Sequence, residues 1–171
     1  LAVERLRLVS DAATPVLVPT LFGSSATASS RPAHEQAVRL ASGSEAATPH
    51  FNRGVVLERL GRIREAVADY REAVRLREDY ANAHFSLGLA LYRSGDLEGA
   101  LDWYDKAIGV RREIGDTAGL ATSLTYKANV LRDLGRLVDA RLLFEEARSP
   151  LEELGDVNGL VENLYGTGLL Y

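Results

Sequence analysis

Three histidines, His34, His50 and His84, and no cysteine are what this 171-residue chain offers to metal or nucleophilic chemistry. Without cysteine, disulfides and thiolate metal sites are excluded outright. His50 and His84 lie 34 residues apart and hold the same place in two copies of a repeat, so a shared ligand site is the sharpest chemical reading of them. Equivalent atoms of adjacent helix pairs stand roughly 10 Å apart, too far for one metal ion without further ligands. Each histidine is therefore read as standing in for a bulky residue at a helix-packing position. Asp116 and Asp156 sit in glycine-flanked loops, but an EF-hand needs oxygen ligands at alternating positions and a closing glutamate, which neither loop has. They are read as helix caps. Glu145-Glu146 and Glu152-Glu153 belong on solvated helix faces rather than in a general acid/base pair, and Trp103 is read as a packing residue. No G-x-x-x-x-G-K, G-x-S-x-G or H-E-x-x-H occurs. The expectation is no catalytic residue, no metal and no cofactor.

The elements that would position any site are legible in an internal repeat. GRIREAVADYREA from Gly61, GDLEGALDWYDKA from Gly95 and GRLVDARLLFEEA from Gly135 superimpose, with starts 34 and then 40 residues apart. A period of this size marks a stacked solenoid of helix pairs, each unit packing on its neighbours. Within these stretches Ile63, Ala66, Val67, Tyr70, Ala73 and Val74 correspond to Leu97, Ala100, Leu101, Tyr104, Ala107 and Ile108, and then to Leu137, Ala140, Arg141, Phe144, Ala147 and Arg148. A spacing of three and four makes one stripe on a helix, with small alanines allowing close approach beside an aromatic. Gly61, Gly95, Gly115, Gly135 and Gly155 mark helix stops, and the aspartate directly after Gly95, Gly115 and Gly155 marks the next start. The helix pairs are expected at about 48–60 with 63–77, 81–94 with 97–112, and 117–134 with 137–154, followed by a last helix from Val157. Pro32 and the echo of residues 70–76 in 34–40 place a degraded earlier helix at 32–41, with a connection from Ser42 to Ala47.

These residues resemble the tetratricopeptide repeat. In the second unit Leu87-Gly88, Leu91, Ala100, Tyr104 and Ala107 stand at its pattern positions; the first supplies Gly54, Leu57, Ala66, Tyr70 and Ala73, and the third Ala128, Leu131, Ala140, Phe144 and Ala147. His50, His84 and Leu124 replace its tryptophan, Arg53 and Lys127 its leucine, and Glu78, Arg112 and Glu152 its closing proline. The resemblance implies an all-α, right-handed superhelix of antiparallel helix pairs, with repeats at about 47–80, 81–116 and 117–156 and a partial one at 157–171. Residues 111–120 also match 151–160 at an offset of 40 around a Gly-Asp-x-x-Gly joint. This is similar to the longer units of polarity adaptors and of large bacterial signalling and regulatory proteins.

In proteins of this fold the first helix of each pair lines the concave face. Once the packing positions are assigned, the residues left to face it are Phe51, Val55, Asn82, Phe85, Leu89, Tyr92, Thr125, Asn129, Arg132 and Tyr165. Apolar at one end and polar in the middle, such a groove suits a peptide or partner domain held by apolar anchors. Phe51, Val55 and Ser86 stand where chaperone-binding relatives carry a carboxylate clamp, so chaperone tails are not the expected ligand. The alternative reading is a regulatory or sensor segment of a larger multidomain enzyme or transcriptional regulator.

Charge narrows the partners further. A net charge of −4, with 5 basic against 10 acidic side chains over residues 113–171, gives no drive toward nucleic acid. No apolar run is long enough to span a membrane. Residues 1–30 read as a flexible lead-in or linker ahead of a solenoid at 31–171. The compartment stays open: cytoplasmic is the preferred reading, and secreted or periplasmic follows if residues 1–28, with Arg5, Arg7 and Ala26-Thr27-Ala28, are a signal segment. Tyr165, Leu169, Leu170 and Tyr171 keep the last helix apolar, from which either an array that continues or self-association through that end is expected.

Overall fold

Glycine and aspartate set the helix ends. In the computed structural model, which describes the backbone of residues 30–168 and side chains from Glu45 to Gly168, Gly61, Gly95, Gly115, Gly135 and Gly155 have φ of 74°, 88°, 72°, 75° and 64°. That left-handed conformation costs glycine little and closes the preceding helix. Asp96, Asp116 and Asp156 each accept a hydrogen bond from the backbone N–H three residues on, at 3.0, 2.9 and 3.0 Å. Arg62 and Arg136 follow the other two glycines and make no such cap; each is paired with an acidic residue in the first turn instead, Glu65 and Asp139.

Among the described residues seven helices result: α1 Ser30–Arg59, α2 Ile63–Leu76, α3 Ala81–Arg93, α4 Leu97–Ile114, α5 Thr117–Asp133, α6 Leu137–Leu154 and α7 Val157–Gly168. All regular structure among the described residues is helical. The break expected between residues 41 and 48 is not there, because α1 runs through Ser42–Ala47 and past Pro49. Serine and glycine weaken a helix without forbidding it, and Ala41, Ala46 and Ala47 favour it. Residues 1–29 and 169–171, which carry the lead-in, the signal-segment alternative and the last three apolar residues, lie outside the described part.

Packing follows the alanine and aromatic stripe. Ala66, Tyr70, Ala100, Tyr104, Ala140 and Phe144 are fully buried, joined by Leu87, Leu91, Val130 and Leu131 from the first helices. Gly54 is required by one of these approaches, since a Cβ there would meet Tyr70 at 2.6 Å. In the third unit Arg141 leaves the stripe and pairs with Glu145 on the surface. The stacking is curved. First helices meet one another, α3 against α5 and α5 against α7, whereas α2, α4 and α6 make no comparable approach and leave clefts between them. The first helices therefore line the inside of the curve.

Candidate functional site

Burial sorts the expected groove residues into three kinds. Phe51 and Phe85 are wedged between helices: Phe51 lies 5.8 Å from Tyr70 and 5.0 Å from Tyr80, and Phe85 lies 5.6 Å from Tyr104 and 5.2 Å from Tyr126, edge-on. Such rings contribute to cohesion between units and present only part of their surface. Thr125 is buried as well, its hydroxyl donating to the Ala121 carbonyl at 3.0 Å.

Tyr92, Arg132 and Asn82 are engaged at the groove edges. Tyr92 donates its phenol to Asp133 at 2.6 Å, and that carboxylate, with burial adding to it, pushes the phenol above its ordinary pKa. Arg132 lies 3.4 Å from the same Asp133. One repeat earlier the matching rung joins Arg93 to Glu58, which also accepts from Tyr70. Consecutive first helices are thus stapled at their C-terminal ends by pairs at corresponding positions, one an ion pair and one a phenol–carboxylate hydrogen bond.

Val55, Leu89 and Asn129 form the third kind. They lie along the first helices, half-buried, and the Asn129 amide has no hydrogen-bond partner among the described residues. Tyr165, on α7, is 73% exposed. The structure therefore brings Asn82, Phe85 and Leu89 together on α3, sets Asn129 on the next first helix, and leaves Tyr165 apart on the last.

Two features of the groove were not anticipated. Tyr126 closes over Phe85, and Arg111, at the end of α4, is 5% exposed. Arg111 donates to the Gly119 carbonyl, to Ser123 Oγ at 2.6 Å and to Asn82 Oδ1 at 3.0 Å, with Asp116 3.5 Å from its Nε and the Phe85 ring 5.1 Å away. Burial lowers its pKa from the usual arginine range, opposed by Asp116. Asn82 accepts from Arg111 through its carbonyl oxygen, so the amide N–H groups are the donors left to its side chain. The sequence signal for this burial is the alignment of Arg111 with Leu151 at an offset of 40.

The departures from the repeat pattern are compensated by charge. Arg53 donates from two nitrogens to Asp69, which His50 also meets at 3.4 Å; the arginine hydrogen bonds hold that carboxyl below its usual range against the opposing effect of burial. Lys127 pairs with Asp105. Among the described residues no group of three or more His, Asp or Glu side chains is arranged to hold a metal ion, and no helix is long and apolar enough to cross a membrane.

Fold and groove together define an α-solenoid of helix pairs. Residues 51–116 match the family described as tetratricopeptide repeat. The chain is similar to the N-terminal domain of stress-induced protein-1 (STI-1) from C. elegans, with a TM-score of 0.63 at 17% identity over 72% of this chain and 96% of that one. It is similar also to MamA, with a TM-score of 0.59 at 20% identity over 64% of this chain and 61% of the MamA chain. At these identities what is shared is the fold. Among curated proteins none matches the sequence significantly.

Proposed function

We propose that this chain is a non-enzymatic protein-interaction scaffold whose inner groove holds a peptide or partner domain. The observation that carries the reading is the row of side chains along the first helices: Leu89 as a partly open apolar contact, Val55 partly open where it packs on the core, and Asn129 and the Asn82 amide as donors and acceptors for a main chain. Helical repeats of this type are in general protein-interaction modules, which agrees with the match over residues 51–116. The like construction of the joints at 115–119 and 155–159 supports grouping the later units with the longer 40-residue kind.

The test uses the immobilised chain to select binders from a random peptide library. Selected peptides should lose at least about tenfold in affinity for Leu89→Glu and less for Asn129→Ala, with Tm unchanged in both. Leu89 is the better probe than Phe85, whose ring holds α3 to α5. Peptides that bind both variants as well as the native chain would show that the groove is elsewhere.

A further inference from the structure

The cleft between α4 and α6, on the outer side of the curve, has two unlike walls. Its cavity of about 370 Å³ is lined by Glu98, Leu101 and Asp102 on α4 and by Leu142 and Leu143 on α6, with Leu131 of α5 beneath. The α6 wall owes its character to an exchange within the repeat. Where α2 and α4 turn Val67 and Leu101 toward the core, α6 has Arg141, exposed and paired with Glu145. The next position is Ala68 in α2 and Asp102 in α4 but Leu142 in α6, and four residues earlier Arg64 and Glu98 give way to Val138. Leu142 and Val138 are 54% and 67% exposed, and their spacing sets them side by side in one apolar strip.

The α4 wall is acidic. Four carboxylates line the cleft against two cations, and both cations are already paired, Lys127 with Asp105 and Arg136 with Asp139. Glu98 and Asp102, again one turn apart, meet no cation among the described residues. Glu98 lies in the first turn of α4, where a carboxylate suits the helix N-terminus. Asp102 lies beyond that turn, in a helix interior where aspartate is a poor former, and has no such role. Two negative charges therefore face the cleft without an opposite.

We propose that this cleft receives a cationic amphipathic helix of a partner protein, its apolar side chains against Leu142, Leu143 and Val138 and its lysine or arginine side chains against Glu98 and Asp102. The unmatched carboxylates set the sign of the partner. Its conformation follows from the walls, which are helix faces whose main-chain groups already bond one another. An extended segment would find no main-chain partners there, whereas a helix brings its own bonds complete. This site lies on the far side of the solenoid from the peptide groove and stands or falls independently of it.

The test titrates the full ¹⁵N-labelled chain with a synthetic helical peptide carrying leucine on one face and lysine on the other, and with its counterpart in which glutamate replaces lysine. The lysine peptide should shift the amide resonances of residues 98–105 and 138–143, and the glutamate peptide should not. Leu142→Ser should weaken binding about tenfold through lost apolar contact, with Tm unchanged because Leu142 is mostly exposed. Asp102→Lys should weaken the lysine peptide several-fold and let the glutamate peptide bind, effects that added salt should shrink. Glu152→Gln combined with Glu153→Gln changes the net charge by the same amount outside the cleft and should leave both peptides as they were. An equal loss in that control would reduce the attraction to net charge and overturn the proposal. So would shifts centred on Leu89 and Asn129, or cleft resonances that move with the concentration of the chain alone, which would give the site to a second copy.

Discussion

The joints at residues 115–119 and 155–159 are built on one backbone and sit on different chemistry. Gly115 and Gly155 turn the chain at φ 72° and 64°, Asp116 and Asp156 cap the next helix, and the same backbone hydrogen bonds recur, Asp116 N to the Arg111 carbonyl at 2.9 Å and Asp156 N to the Leu151 carbonyl at 3.0 Å. Gly119 and Gly159 each admit a side chain underneath: a Cβ would lie 2.7 Å from Arg111 Nε in one and 2.6 Å from Leu151 Cδ2 in the other. Beneath the first joint the arginine ties α3 to α5 by hydrogen bonds. Beneath the second the leucine joins an apolar cluster with Ile108, Ala121, Leu124 and Ala147. The turn itself is thus a backbone device indifferent to what supports it. The supporting side chain decides whether neighbouring units are joined by directed bonds, which also hold the Asn82 carbonyl oxygen, or by packing alone.

Exchanging the supports tests this most strongly. Leu151→Ala removes a side chain that is 3% exposed and should cost about 3 kcal/mol in urea unfolding followed by circular dichroism. Arg111→Leu keeps a filled site, as Leu151 does, but leaves the Gly119 carbonyl and Ser123 without their donor; about 1–2 kcal/mol is expected. A cost for Arg111→Leu as large as that for Leu151→Ala would mean that the directed bonds at the first joint carry at least as much stability as the packing at the second, against the expected order.

What could be read from the sequence divides along similar lines. The boundaries of α2 to α6 were legible to within about two residues because glycine and aspartate act locally: α4, expected at 97–112, ends at Ile114, and α6 at 137–154 is unchanged. Continuity of α1 through Ser42–Ala47 was not legible, since serine and glycine there are compatible with helix and with turn. Helical spacing puts Leu89 and Asn129 on α3 and α5, where they lie, but it gives a face and not a depth. Whether Phe85 is a ligand contact or a wedge depends on Tyr126, 41 residues away in sequence on another helix. Arg111 was missed because arginine is read as solvated by type; its burial depends on acceptors from α3 and α5 converging on it.

The backbone half of the comparison predicts equality. Gly115→Ala and Gly155→Ala each force a Cβ into the left-handed region with nothing else near it, so both should lose about 1 kcal/mol and differ by less than the measurement resolves. Unequal losses would show that the support beneath a joint strains or relaxes its turn.

The smallest effect separates capping from charge. Asparagine caps a helix about as well as aspartate, so Asp116→Asn and Asp156→Asn should both retain the hydrogen bond from the N–H three residues on, and both lose the same interaction of a carboxylate with the helix N-terminus. What remains different is Arg111. Its Nε lies 3.5 Å from Asp116, whereas Leu151 offers Asp156 no charge. Asp116 is more than one-third exposed, so water screens much of the attraction, and the variants should differ by only about 0.5 kcal/mol, with Asp116→Asn the less stable. Added salt should shrink that difference if it is Coulombic. A difference that persists in high salt would instead assign it to the hydrogen-bond geometry of the cap, and the two joints would then differ in their backbones after all.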